Sequence, residues 1–358
     1  MRPRGTFQDL PLVTGGWREG DPVGSRHFAD LGELTLDSGA VLPSLRVAYE
    51  TWGEPRGDNA VLILHALTGD SHVHGPAGPG HPTGGWWEDA VGPGLPIDTE
   101  RFFVVAANIL GGCQGTTGPL SPAPDGDPWG ARFPDITVRD QVRAEAALAD
   151  HLGIDVWHTV VGGSAGGMRA LEWAVEHPDR VQRLFLLASS AQASAEQIAL
   201  STVQQAAIVA GGPVAGLDVA RRIAHIAYRS EPELDERFGR EEQDDGRFAV
   251  ESYLEHHGAK LARRFDPDSY LVLTRAMDTH DIGRDRGGVA AALAQVTART
   301  VVAGIDSDRL YPLHQQQELA EGIPGCDGVD VVRSVYGHDG FLIEFDQVGA
   351  LARKLLES

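Results

Sequence analysis

Short, wholly apolar runs along this chain alternate with longer segments in which apolar residues recur every three or four positions. The runs Ala60-Val-Leu-Ile-Leu and Phe102-Phe-Val-Val-Ala-Ala contain no polar residue, which predicts strands buried on both faces. His158-Thr-Val-Val and Leu184-Phe-Leu-Leu-Ala predict two more. Upstream, Gly32–Leu36 and Leu45–Thr51 alternate in character, as antiparallel strands near a sheet edge do. Between the runs, Arg139–Leu152 spaces Val142, Ala146, Leu148 and Leu152 as one helical face. Regular alternation of strand and helix predicts a mostly parallel, doubly wound sheet.

The pattern changes after Ser190. Residues 191–285 contain no convincing strand, but helical spacing runs through Ala195–Ala210, Leu217–Tyr228, Phe248–Phe265 and Asp268–Met277. Strand character returns at Thr300-Val-Val-Ala-Gly and at Val329-Asp-Val-Val-Arg-Ser-Val, and a helix from Asp346 closes the chain. The expected organisation is a core in two parts, 1–190 and 286–358, with a helical lid inserted at 191–285 over the strand C-terminal ends. Residues 1–25 read as a loosely held arm, and the charged stretch Arg229–Arg247 as solvated surface. The glycine- and proline-rich stretches 75–96 and 111–130 are long for loops, which marks them as functional or mobile.

Composition narrows the partners. The 358 residues are 42% apolar and 23% charged, as in an ordinary globular protein. A formal charge of −21 argues against nucleic acid or an anionic membrane surface. No apolar run approaches the roughly 18 residues of a membrane span, and no apolar segment follows the basic start as in a secretory signal. Cys113 and Cys326 form no framework or metal spacing. Together these features point to the cytoplasm. His72-x-His74 places two imidazoles on one strand face, but no third ligand is evident, so the pair reads as solvated and no metal is expected. Asp278-Thr-His-Asp281 reads as a polar connector, and Trp52, Trp86 and Trp87 as packing anchors.

The candidate chemistry begins at Gly162-Gly-Ser-Ala-Gly, which lies between a strand run and a helical one. A serine there sits in a strained turn with its hydroxyl above the sheet, and flanking glycines let strand and helix approach closely. Ser164 is therefore the candidate nucleophile. A nucleophilic serine needs a base and an acid to orient that base. The run at 329–335 leads into Tyr336-Gly-His-Asp-Gly, which supplies His338; the run at 300–304 leads into Asp306-Ser-Asp308, and either aspartate could serve. The turn His65-Ala-Leu-Thr-Gly-Asp offers the Leu67 N–H, which with the Ala165 N–H would form an oxyanion hole.

With these residues in place, the chain resembles the homoserine O-acetyltransferases of the α/β-hydrolase superfamily along nearly its whole length. The matching stretches include Ala48-Tyr-Glu-Thr-Trp-Gly, Asn108-Ile-Leu-Gly-Gly-Cys-Gln-Gly-Thr-Thr-Gly-Pro, Gly162-Gly-Ser-Ala-Gly-Gly-Met, Asp306-Ser-Asp-Arg-Leu-Tyr-Pro and Tyr336-Gly-His-Asp-Gly-Phe-Leu. The resemblance implies an α/β-hydrolase fold with an inserted helical cap. It implies Ser164 as nucleophile, His338 as base and Asp308 as acid. It further implies Arg221 and Asp339 as the clamp for a zwitterionic acceptor, with Tyr228 beside them. The implied reaction is ping-pong acyl transfer to homoserine, in methionine biosynthesis, with acetyl-CoA or another acyl-CoA as co-substrate and no permanently bound cofactor. The implied assembly is a homodimer. Succinyl transfer, serine as acceptor, and hydrolysis by a carboxylesterase or deacetylase are the alternatives. The chain departs from the family pattern at Ala165, where Met, Leu or Phe is common, and in a shortened segment at Ala210–Ala215.

Overall fold

The computed structural model describes residues 14–358. Its strands are β1 (His27–Thr35), β2 (Val41–Trp52), β3 (Ala60–Leu64), β4 (Val91–Gly92), β5 (Ile97–Asp98), β6 (Phe103–Ala107), β7 (Thr159–Gly163), β8 (Arg183–Leu187), β9 (Arg299–Ile305) and β10 (Cys326–Val332). Eight of them form one sheet in the order β1-β2-β6-β3-β7-β8-β9-β10, and β4 pairs only with β5. The β1–β2 and β2–β6 pairs are antiparallel and all the others parallel. This is the α/β-hydrolase fold. The all-apolar runs occupy the centre, where β3, β6 and β7 are buried at every residue.

Sequence spacing located the elements well and their ends less well. β1 begins at His27 rather than Gly32, because two register shifts near Gly32 interrupt the alternation. β10 starts at Cys326, earlier than the apolar run alone indicates. The helix Val138–His151 starts at a capping box in which Thr137 and Asp140 satisfy each other's backbone N–H groups.

Six helices lie between β8 and β9: Ala195–Gly211, Ala215–Tyr228, Glu231–Phe238, Ala249–Ala262, Pro267–Asp278 and the short Val289–Leu293. The third was not separated from its polar surroundings in the sequence; Ser230 caps it, its side chain accepting from the Glu233 N–H. The expected loose arm is partly outside the described residues, at 1–13. Its described part is held down: Trp17 N–H donates to the Cys113 carbonyl at 2.8 Å and its ring packs on Phe28 at 5.2 Å. No helix among the described residues is long and apolar enough to cross a membrane.

Candidate active site

Ser164 sits at the end of β7 with φ 56° and ψ −125°, a left-handed conformation costly for a side chain with a Cβ. Two glycines make the turn possible. A Cβ on Gly162 would overlap the Gly166 carbonyl, and one on Gly166 would overlap the carbonyl of Leu64 on β3. The helix Ala165–Glu176 starts immediately after the serine, so its unpaired N–H groups and positive dipole end lie beside Ser164.

His338 and Asp308 complete a continuous chain of hydrogen bonds. His338 Nε2 lies 2.9 Å from Ser164 Oγ, and its Nδ1 lies 2.7 Å from Asp308 Oδ2. With Asp308 ionised, Nδ1–H donates to the carboxylate and Nε2 accepts from the serine. All three residues are buried. Burial opposes charge on His338, but the adjoining Asp308 carboxylate outweighs it and holds the imidazole above its ordinary pKa. Asp308 Oδ1 accepts from two backbone N–H groups, Leu310 at 2.8 Å and Tyr311 at 2.9 Å. Of the two aspartates, it is Asp308 whose carboxylate meets His338. Asp306 turns away, accepting from the Ser334 N–H and pairing with Arg333. Ser307, between them, donates to the Ser334 carbonyl and accepts from the Gly337 N–H.

Leu67 and Ala165 share one buried apolar cluster, and neither N–H is taken up by the surrounding turn and loop bonds. Their loop is anchored from several sides. His65 accepts from the Ile109 N–H and faces the Ala66 carbonyl; burial and Arg169 hold it neutral, with its pKa lowered to about 3. At the far end the solvated reading of His72 is corrected. His72 is buried, with Nδ1 2.8 Å from Glu50 Oε2 and Nε2 3.1 Å from the Gly75 carbonyl. Both ring nitrogens thus face acceptors, which favours the imidazolium, and the pKa is raised: burial opposes the charge but Glu50 prevails. The companion histidine in space is His81 rather than His74. Its ring stacks on His72 with centroids 3.8 Å apart and planes 14° from parallel. Glu50, His72 and His81 bring their ligand-type atoms within 4.8 Å of one another. Near-parallel stacked rings direct their lone pairs into separate planes, however, and His81 Nε2 already accepts from the Ser25 N–H at 2.9 Å. The cluster is built as a hydrogen-bonded brace.

A cavity of about 390 Å³ has Arg221, His225, Lys260, Arg264 and Asp339 among its lining residues, and Asp339 directly follows His338 in the chain. Arg221 reaches Thr68 Oγ1 at 3.3 Å and lies over the Tyr228 ring at 5.3 Å; that ring lies 5.8 Å from His338. Asp339 pairs with Arg229 at 3.2 Å, and burial raises its pKa. Arg221, Tyr228 and Asp339 therefore gather around the triad, with Asp339 already ion-paired. His225, one helical turn beyond Arg221, was not singled out in the sequence. It is buried between Tyr253 and His257, and burial together with Arg221 lowers its pKa to about 2. A second, much smaller cavity of about 50 Å³ has Leu67, Met168, Tyr228, Asp278 and Tyr311 in its wall.

Comparison with known proteins places this geometry. The family model for the alpha/beta hydrolase fold matches residues 59–345. The chain is 62% identical to a homoserine O-acetyltransferase of Thermobifida fusca, covering 98% of each chain. It is 30% identical to a crystallised homoserine O-acetyltransferase from Staphylococcus aureus, with TM-score 0.80 and 93% of this chain and 95% of that one covered. Esterase E22 shares the fold at TM-score 0.84 and 24% identity, with 92% of this chain and 99% of that one covered. By its sequence relationship over nearly its full length, and not by fold alone, the chain belongs to the homoserine O-acetyltransferase family of α/β-hydrolases.

Proposed function

We propose that the protein transfers the acetyl group of acetyl-CoA to the hydroxyl of L-homoserine, in methionine biosynthesis, through an acyl-enzyme on Ser164. Ser164 attacks the thioester carbonyl while His338 Nε2 takes its proton, and CoA departs with that proton. The homoserine hydroxyl then attacks the acyl carbon, giving its proton to His338, and Ser164 Oγ leaves and is reprotonated. Asp308 holds the Nδ1–H tautomer throughout, and the Leu67 and Ala165 N–H groups receive the oxyanion.

The observation that carries this reading is the larger of these two cavities, whose wall holds both the Arg221 guanidinium and the Asp339 carboxylate, the latter on the residue that follows His338. An α-amino acid needs one cation for its carboxylate and one anion for its ammonium. Asp339 would share its carboxylate between Arg229 and the incoming ammonium. An esterase, whose acceptor is water, has no use for that pair. The small cavity supports acetyl over succinyl. Its charged wall residue is Asp278, so a second carboxylate on the acyl group would meet repulsion there. Its small volume and its position beside Met168 suit a two-carbon acyl group.

We further propose that the protein works in the cytoplasm as a homodimer, with the exposed side of helix Ala195–Gly211 in the interface. Val203 and Val209 are 55% and 75% exposed there, and no charged residue occurs from Gln197 to Leu217. Val209→Asp should shift the sedimentation coefficient towards that of one chain.

Incubation with acetyl-CoA or succinyl-CoA, each with homoserine, serine or no acceptor, tests the reaction, followed by CoA release and product mass. O-Acetylhomoserine as the dominant product is expected. Rapid CoA release with no acylated amino acid would mark a hydrolase and defeat the proposal.

A further inference from the structure

His65 is not among the reacting groups, yet both of its ring nitrogens are committed within the loop that carries the Leu67 N–H. Its Nε2 lies 3.2 Å from the Ile109 backbone nitrogen, whose N–H can only donate, so Nε2 holds a lone pair and the ring is neutral. The proton therefore sits on Nδ1, which donates to the Ala66 carbonyl at 2.8 Å. That oxygen receives a second donor, the Gly69 N–H, at 2.9 Å. The imidazole rests against Gly69, where a Cβ would come within 2.7 Å of the His65 Cβ and 3.1 Å of its Nδ1. From the helix that follows Ser164, the Arg169 guanidinium donates to the His65 carbonyl. His65 is only 2% exposed, so bulk water does not compete for these bonds.

We propose that His65 is a positioning residue of the oxyanion hole, its Nδ1–H fixing and polarising the Ala66–Leu67 peptide so that the Leu67 N–H is aimed at the oxyanion. The inference rests on the acyl-enzyme reading, in which the Leu67 and Ala165 N–H groups receive that charge. A trans peptide is planar, so the Ala66 carbonyl and the Leu67 N–H lie in one plane and point in opposite directions. Donors that hold the oxygen at one end therefore set the direction of the N–H at the other. The Gly69 N–H belongs to the same turn and moves with it, whereas the imidazole is tied to Ile109 outside the turn. The bond also strengthens the donor, because charge drawn towards the carbonyl oxygen leaves the amide hydrogen more positive. Such a hole works by being in place before charge appears. The thioester oxygen gains the electron pair of its C=O bond when Ser164 Oγ attacks, and the pair returns when the sulfur leaves. His65 exchanges no proton in either step. Its pKa of about 3, lowered by burial and by Arg169, keeps the ring neutral and the Nδ1–H in place at neutral pH.

Two amide substitutions separate the two ring nitrogens. His65→Asn places its amide nitrogen where Nδ1 lies, which keeps the donor to Ala66 and leaves the Ile109 N–H unpaired. His65→Gln reaches with its amide oxygen to where Nε2 lies, which keeps the acceptor for Ile109 and loses the donor to Ala66. Each variant loses one bond, but only Asn leaves a buried group with no partner, because the Ala66 oxygen retains Gly69. The Gln variant should therefore melt at the higher temperature and yet react more slowly, with kcat for acyl transfer down about 10- to 100-fold, up to the loss of a whole oxyanion donor. The Asn variant should melt lower and keep kcat within about threefold of wild type. KM for homoserine should be unchanged in both, because neither the larger nor the smaller cavity has His65 in its wall. The rate at which phenylmethylsulfonyl fluoride labels Ser164, read by peptide mass, needs neither CoA nor homoserine and should follow the same order as kcat. It supports the role even if homoserine proves to be the wrong acceptor. Wild-type protein that takes no label at Ser164 would instead defeat the acyl-enzyme reading, and this inference with it. Equal kcat in the two variants overturns the proposal, and so does a Gln variant faster than Asn, the order that stability alone would give.

Discussion

Replacing Asp308 by Asn tests the triad more sharply than removing the serine, because the structure predicts which way the amide must face. Asp308 Oδ1 accepts from the Leu310 and Tyr311 N–H groups, and Oδ2 accepts from His338 Nδ1–H. An asparagine has one oxygen to offer. Turned towards His338, that oxygen leaves an NH2 against two backbone donors, each orphaned at about 1–3 kcal/mol in a buried site. Turned towards the backbone, it satisfies both and presents the NH2 to His338, whose Nδ1 must then accept. The second arrangement is favoured by about 2–6 kcal/mol on this count, and it moves the imidazole proton to Nε2, where it faces Ser164 and cannot accept a proton. Asp308→Asn should therefore lose about 10⁴ in kcat, as expected for a triad locked in the wrong tautomer. It should melt close to the wild type. Asp308→Ala, with no acceptor at all, should be about 2–6 kcal/mol less stable as well as inactive. Stopped-flow CoA release and denaturant titration read the two quantities separately. The reasoning fails if the Asn variant stays within tenfold of wild type, or if the Ala variant is as stable as the Asn one.

Other substitutions examine the remaining parts. Ser164→Ala should abolish both the acyl-enzyme, detected by intact mass after acetyl-CoA, and turnover. Arg221→Ala should raise KM for homoserine strongly while leaving CoA release in the first half-reaction near normal; an equal loss in both halves would refute the acceptor role. The base acts only when neutral, and Asp308 lifts the His338 pKa above its ordinary value of about 6.5. The acid limb of kcat/KM should accordingly centre above that value, and a limb below pH 6 would contradict the pairing. Gly166→Ala drives a Cβ into the Leu64 carbonyl, so it should yield little folded protein as judged by circular dichroism.

Some of this was legible in the residue order and some was not, for physical reasons that differ. β3, β6 and β7 announce themselves because a strand buried on both faces can contain almost nothing polar. Ser164 was legible because glycines flank it in a turn so tight that Gly162 and Gly166, four residues apart, leave no room for a Cβ between them. Asp306 and Asp308 could not be told apart from spacing, since the direction of a side chain past a strand end depends on the next strand's loop. The resemblance to the family, rather than spacing, pointed to the second. His72 was misread because its partners, Glu50 and His81, come from β2 and from a loop beyond the visible His74. Tyr311 went unnoticed because an aromatic residue near an apolar run looks like core, and nothing in the spacing shows that its ring stacks on His338. His225 was hidden similarly, among helical residues whose facing side depends on how the helices between β8 and β9 pack.

The tripeptide Asp306-Ser307-Asp308 ties three successive side chains to one loop: Ser334 to the first, Ser334 and Gly337 to the second, His338 to the third. The loop bearing the base and the loop bearing the acid thus move as one body. Thermal motion of either carries the other along, and the distance between His338 and Asp308 is insulated from flexing elsewhere in the molecule. What remains free to vary is the position of that unit relative to Ser164, which sits on a different strand. Sensitivity to temperature, crowding or distant substitution should be felt first at the contact between serine and histidine, and last at the one between histidine and aspartate.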